Sequence, residues 1–250
     1  MTEVNNRRPL IVLNGVWEPS VNPCILYTNS LRPADNCTAP GVDAEILATI
    51  LETAQLDYKL AHAGLNPDWG VVHQHNVTGL FAQLFEGKFD LMNSGWFLTP
   101  IRQHHFDFSF PYTNMRTYMV TAVHKPEPLN TKDQLLDALS DGKVRLIAQT
   151  ESVVFFESIR LSQNSFYSRL AKIVEHHPPH IEPDMSKLIQ KLQTGRYVYT
   201  TDARQVAYVL HKHCGLIKFD ISDVTGAYWT GFLFRKQHPA IPMFDKGCVR

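Results

Sequence analysis

An arginine flanked on both sides by apolar residues is the group in this chain that most needs a chemical partner. Arg102 closes the stretch Ser94-Gly95-Trp96-Phe97-Leu98-Thr99-Pro100-Ile101-Arg102. Beyond it, past His104-His105, runs Phe106-Asp107-Phe108-Ser109-Phe110-Pro111-Tyr112. A guanidinium stays charged when partly desolvated and offers a planar fork to a carboxylate. An acid from the protein, with Asp90 and Asp107 the near candidates, or from a ligand must therefore face it. Two further residues carry usable chemistry. Trp69 follows the turn Gly64-Leu65-Asn66-Pro67-Asp68, and an indole face suits an apolar group or a cation. Asp202 stands just before a helical stretch, where capping is a common use of aspartate.

Metal and redox chemistry find less support. Twelve histidines include Glu175-His176-His177-Pro178-Pro179-His180 and His211-Lys212-His213-Cys214. Prolines break the first, and the second is an incomplete ligand set, so no metal and no cofactor is expected. Nucleophile-elbow, phosphate-loop and dinucleotide signatures are absent. Cys24, Cys37, Cys214 and Cys248 allow three pairings. Their clustering near the two ends suggests Cys24–Cys37 and Cys214–Cys248. Two glycosylation sequons, at Asn36 and Asn76, join the even cysteine count in favouring an oxidising, extracellular or cell-surface setting. The polar start, without a signal core, argues the other way unless the N-terminus is trimmed.

The chain has 250 residues, 44% hydrophobic and 19% charged, with a formal net charge of zero. That is ordinary globular composition with no basic field for nucleic acid. No apolar run approaches the roughly 20 residues that span a bilayer. The elements that must position Arg102 and Asp202 follow from periodicity. Strands are expected at 9–14, 56–60, 89–93, 116–123, 144–148, 197–201, 216–219 and 229–234. Helices are expected after Gly41-Val42-Asp43, at 78–85, 132–139, from 152, around 168–174, at 185–192 and at 203–212. Residues 18–41 are expected as a long loop. This alternation implies parallel strands with helices packed on them, an α/β fold.

The ordered motifs resemble those of the solute-binding protein family 3. Its type II periplasmic-binding-protein fold is shared by bacterial amino-acid-binding proteins and the ligand-binding domain of ionotropic glutamate receptors. The matching residues are Gly41-Val42-Asp43; Gly79-Leu80 with Gly87-Lys88-Phe89-Asp90; Thr99-Pro100-Ile101-Arg102; and Phe106 to Tyr112. Further on they are Phe155-Phe156, Leu192 with Gly195-Arg196-Tyr197, Asp202 and Gly231-Phe232. The resemblance implies a two-lobed clamshell, lobe 1 being 1–118 plus 234–250 and lobe 2 being 119–233, with two crossing strands as the hinge. It implies capture of a small amino-acid-like ligand between the lobes, signalled by closure. Arg102 would take the α-carboxylate, Trp69 would cover the ligand and Asp202 would receive its amino group. Thr99, Phe97, Thr150, Glu151 and Ser152 would line the rest.

Two positions depart from the family pattern. Phe97 replaces a small hydroxylic residue, and Thr150-Glu151-Ser152 replaces Gly-Ser-Thr, so smaller, more apolar or cationic ligands fit as well as glutamate. The family's closing helix is expected to be short or absent, with a membrane region only in a longer relative; a receptor-type oligomer is open. No channel insertion separates the lobes. A dehydratase-type enzyme, a soluble transport protein and a relative that has lost its ligand are the competing readings. Arg102→Ala is expected to abolish carboxylate binding and leave melting near wild type.

Overall fold

The computed structural model describes residues 8–124, 129, 131–151, 153–161, 164–220 and 227–248. Its chain divides into two compact units. The first comprises Met1–Pro67, Val72–Thr113 and Trp229–Arg250, and the second comprises Asp68–Val71 and Asn114–Tyr228.

In the first unit, β1 (Leu10–Asn14) pairs in parallel with β2 (Tyr58–His62) and with β3 (Leu91–Phe97). The last strand, β10 (Ala227–Arg235), runs antiparallel to β3 and to the short β4 (Phe106–Phe108). Helix α1 (Val42–Thr53) covers this sheet because Ala44, Leu47, Ala48, Ile50 and Leu51 recur on one face. All five are buried, together with Val12, Leu91, Phe232 and Phe234. Each large aliphatic side chain so removed from water contributes roughly 1.5–3 kcal/mol.

What starts α1 is backbone geometry. Gly41 has φ +125°, and a Cβ there would meet the backbone of Ser20 and Val21. Only glycine tolerates both. Two residues on, the fully buried Asp43 accepts the Gly95 N–H at 2.9 Å through one oxygen and the Tyr112 hydroxyl at 2.8 Å through the other. A helix-start residue thereby ties α1 to β3 and to the segment after β4.

Helices α2 (Gly79–Phe85) and α3 (Pro100–His105) complete the first unit with α9 (Ile241–Cys248). The expected loop at 18–41 contains a 3-10 turn, Pro23–Tyr27, and the disulfide Cys24–Cys37. The bond closes a segment of sequence separation 13. In the loop-entropy picture such a closure stabilises by up to about 3 kcal/mol. Replacing both cysteines by alanine should lower the melting temperature by roughly 5–10 °C in a calorimetric scan; an unchanged transition would show that the loop is held by other contacts.

In the second unit, β5 (Thr113–Ala122) is antiparallel to β8 (Tyr197–Asp202) and β9 (Leu216–Asp220), and β6 (Arg145–Ala148) is parallel to β8 and to β7 (His180–Ile181). Around them lie α4 (Lys132–Ser140), α5 (Val154–Leu161), α6 (Ser165–His176), α7 (Met185–Gln193) and α8 (Ala203–Lys212). Val120, Ile147, Leu188, Leu192, Tyr199, Val206 and Val209 form its core. Among the described residues no helix is long and apolar enough to cross a membrane.

Candidate functional site

Arg102 lies in α3, whose start is fixed by Pro100 in the first turn and by the Thr99 hydroxyl accepting the Arg102 N–H at 3.4 Å. Short as it is, the helix delivers a guanidinium that is 1% exposed. Its carbon lies 5.7 Å from the centroid of Phe81 on α2 and 5.4 Å from that of Trp96 on β3. Those two rings meet edge to face at 4.8 Å. Ring faces carry negative potential and hold a desolvated cation, at about 0.5–2 kcal/mol each. The carboxylates nearest in sequence are engaged elsewhere. Asp107 takes Lys236 at 2.8 Å and the Gln237 N–H, and Asp90 takes Arg8, Arg235 and His238. The enclosure corrects one expectation: removing so buried a side chain cannot leave melting unchanged.

Phe97 ends β3 opposite Thr230 and is half-buried, and Thr99, next to α3, is buried. Asn14 and Asn93, from the parallel strands β1 and β3, share a buried hydrogen bond of 2.7 Å. Arg102 therefore follows the carboxyl end of a parallel strand, the end at which open α/β sheets present ligand groups.

In the second unit the corresponding edge carries Thr150, Glu151 and Asp202. Strands β6 and β8 run in parallel with Ile147 opposite Tyr199. Both strands therefore finish at one edge, with Asp202 closing β8 and Thr150 just beyond β6. A buried polar network joins them. Gln149 accepts from the Gln205 amide at 2.6 Å and the Tyr199 hydroxyl at 3.3 Å, and Gln205 in turn accepts from the Tyr199 and Thr201 hydroxyls. Burial pushes the Tyr199 phenol up, so it remains a neutral donor. Asp202 caps α8, one carboxylate oxygen accepting the N–H groups of Arg204 at 2.9 Å and Gln205 at 3.1 Å. Thr150 is half-buried and Glu151 exposed, while Ser152 lies outside the described residues. Trp69 is 3% exposed, in a segment that groups with this second unit.

The sequence matches the family model "Bacterial extracellular solute-binding proteins, family 3" over residues 32–198, more than half of the chain. The chain belongs to that family. A solved structure, the Drosophila muscle GluRIIB in complex with glutamate, matches with a TM-score of 0.78 at 12% identity, covering 97% of this chain and 92% of that one. At that identity the likeness shows the fold alone, and the fold is the two-lobed periplasmic-binding-protein-like II clamshell of a glutamate-receptor ligand-binding domain. No curated protein sequence matches. Family and fold are those of ligand-binding proteins.

Against the family pattern, the first unit ends in a short helix, α9, which the sequence left as short or absent. The cysteine expectation holds for one pair. Cys24 and Cys37 are bonded, whereas Cys214 and Cys248 are free thiols, one exposed and one half-buried. The second pairing was inferred from nearness to the C-terminus, and proximity in sequence does not place two thiols within bonding reach. Asn36 and Asn76 are both exposed. Among the described residues no group of three or more His, Cys, Asp or Glu is arranged to hold a metal ion. The residues that sequence reasoning missed are the rings of Phe81 and Trp96 and the amides of Gln149 and Gln205, because apolar and amide side chains carry no motif of their own.

Proposed function

We propose that this member of solute-binding family 3 binds a small amino-acid-like ligand, with Arg102 as the anchor of its α-carboxylate, and reports occupancy as the extracellular part of a glutamate-receptor-like signalling protein. The observation that carries the reading is the setting of Arg102. It is an enclosed cation on two aromatic rings, just past the carboxyl end of the parallel strand β3. An enclosed group can be reached only if its surroundings rearrange, so binding is coupled to a change of conformation. A ligand that favours one conformation shifts the population towards it. Membrane attachment and assembly into an oligomer belong, in this reading, to a longer receptor.

A thermal-shift screen of α-amino acids tests the proposal. A ligand present at about 100 times its Kd stabilises by about 2.7 kcal/mol, which raises the melting temperature by roughly 5–10 °C. One specific observation favours a second reading, a relative that has lost its ligand. Thr99 and Asp202 both serve as helix caps while Arg102 is sealed. If no amino acid shifts the transition, that second reading stands and Arg102 is structural.

The extracellular assignment has its own check. Expressed with a leader through a eukaryotic secretory pathway, the chain should carry glycan at both exposed sequons. Asn36→Gln and Asn76→Gln should each remove one glycan's mass by intact mass spectrometry. A secreted product of unmodified mass would count against that setting.

A further inference from the structure

We propose that the second unit carries a separate site for a small monocation with an apolar body, in a cavity of about 260 Å³ lined by Glu151, Phe156, Ile159, Val174, Pro178, Pro179 and Ile181. Six of those seven side chains are apolar, and Glu151 is the charged one. Ligand sites are concave, mostly apolar and carry few polar groups that set orientation; drug-sized ligands occupy roughly 300–1,000 Å³. A space somewhat below that range suits an occupant of about one ring.

Two observations favour a cation over a neutral apolar guest. Glu151 is exposed and, among the described residues, makes no hydrogen bond or ion pair, so a cation beside its carboxylate displaces no contact with them. Among the described residues no cationic side chain lines the cavity to balance it. The apolar wall is held in place before anything binds. Ile181 pairs with Ala148 in the β6–β7 ladder, and the Arg145 guanidinium donates to the Pro178 carbonyl at 3.0 Å. Phe156 and Ile159 come from α5 and Val174 from α6, so three elements and one tethered loop line this half-open space. A preformed pocket avoids the ordering cost that weakens binding to flexible surfaces. The site shares Glu151 with the residues read as lining the amino-acid site, but it does not use Arg102, and its apolar wall is made of other residues.

Benzylamine is the probe, benzyl alcohol its neutral counterpart, each titrated into the whole chain with NMR shifts or calorimetry as the readout. Benzylamine is expected to bind at roughly millimolar Kd and about three- to fivefold more tightly than benzyl alcohol, as a half-exposed ion pair supplies. Glu151→Gln should abolish that difference while leaving benzyl alcohol unchanged. Val174→Trp should fill the cavity and abolish both, and Ile181→Trp does the same from another wall, so misfolding of one variant does not decide the outcome. Melting shifts given by an amino acid should survive Val174→Trp. Equal affinity for the two probes, binding that persists in both filled variants, or no binding at tens of millimolar overturns the site.

Discussion

Asp90→Ala is expected to cost about 3–5 kcal/mol, because it strands several groups built around one buried carboxylate. Asp90 is 1% exposed and accepts from the Arg8 guanidinium at 2.8 Å, the Arg235 Nε at 3.2 Å, the His238 Nε2 at 3.1 Å and the Ile11 N–H at 2.9 Å. The Ala240 N–H donates to the other nitrogen of His238 at 3.2 Å, so the ring is fixed at both ends. In consequence Asp90 ties β1 to β10 and to the turn before α9. Removing it leaves the buried His238 and the partly exposed Arg235 without their acceptor. The melting temperature should fall by roughly 10 °C or more, and Asp90→Asn, which keeps the shape, should fall less. Equal melting of Asp90→Ala and wild type would show that the cluster contributes nothing net.

The same carboxylate sets a pH dependence. Burial alone would raise its pKa, but the hydrogen bonds from His238, Ile11 and Arg235 more than offset that and lower it from 3.8 to about 2. A carboxyl depressed on folding stabilises above its unfolded pKa and loses that contribution as pH falls through the folded value. Stability should thus be flat in this respect above about pH 4 and decline by about 2 kcal/mol down to pH 2. Asp90→Asn should remove that part of the decline in acid-unfolding curves.

Arg102 carries the larger functional effect. Arg102→Ala should weaken any α-carboxylate ligand by 100-fold or more, since truncating one partner of a buried charge pair costs about 2–5 kcal/mol. It should also destabilise the fold by about 2–4 kcal/mol, through the lost contacts with Phe81 and Trp96 and the space left behind. That coupling makes Arg102→Lys the better instrument. Lysine keeps the charge and most of the stem but not the bidentate fork, so affinity should fall by roughly tenfold while the chain stays folded.

Much of the fold was legible because its cues are local. Gly41 before α1, Gly87 after α2, Gly195 after α7 and the apolar spacing of Leu47, Ile50 and Leu51 place helix ends and faces without tertiary information. Motif order then identified the family and marked Arg102. Other features came from context. The strand expected at 89–93 runs to Phe97 because β10 pairs with it as far as Thr230 opposite Phe97, a partner more than a hundred residues away. Strand β7 is two residues long and exists because β6 lies beside it. The burial of Arg102 and Trp69 was hidden for the same reason, since charge and ring type say nothing about what closes over them. Asp202 was legible as a cap from its position before α8, and one of its carboxylate oxygens makes that cap.

Calorimetric titration of Arg102→Lys beside wild type tests the anchor most directly, with one α-amino acid that stabilises the wild type and its decarboxylated amine as ligands. Wild type should prefer the amino acid by 100-fold or more, and Arg102→Lys should lose at least tenfold of that preference with its affinity for the amine unchanged. An undiminished preference in Arg102→Lys would contradict the assignment and leave Arg102 as a structural cation held by Phe81 and Trp96.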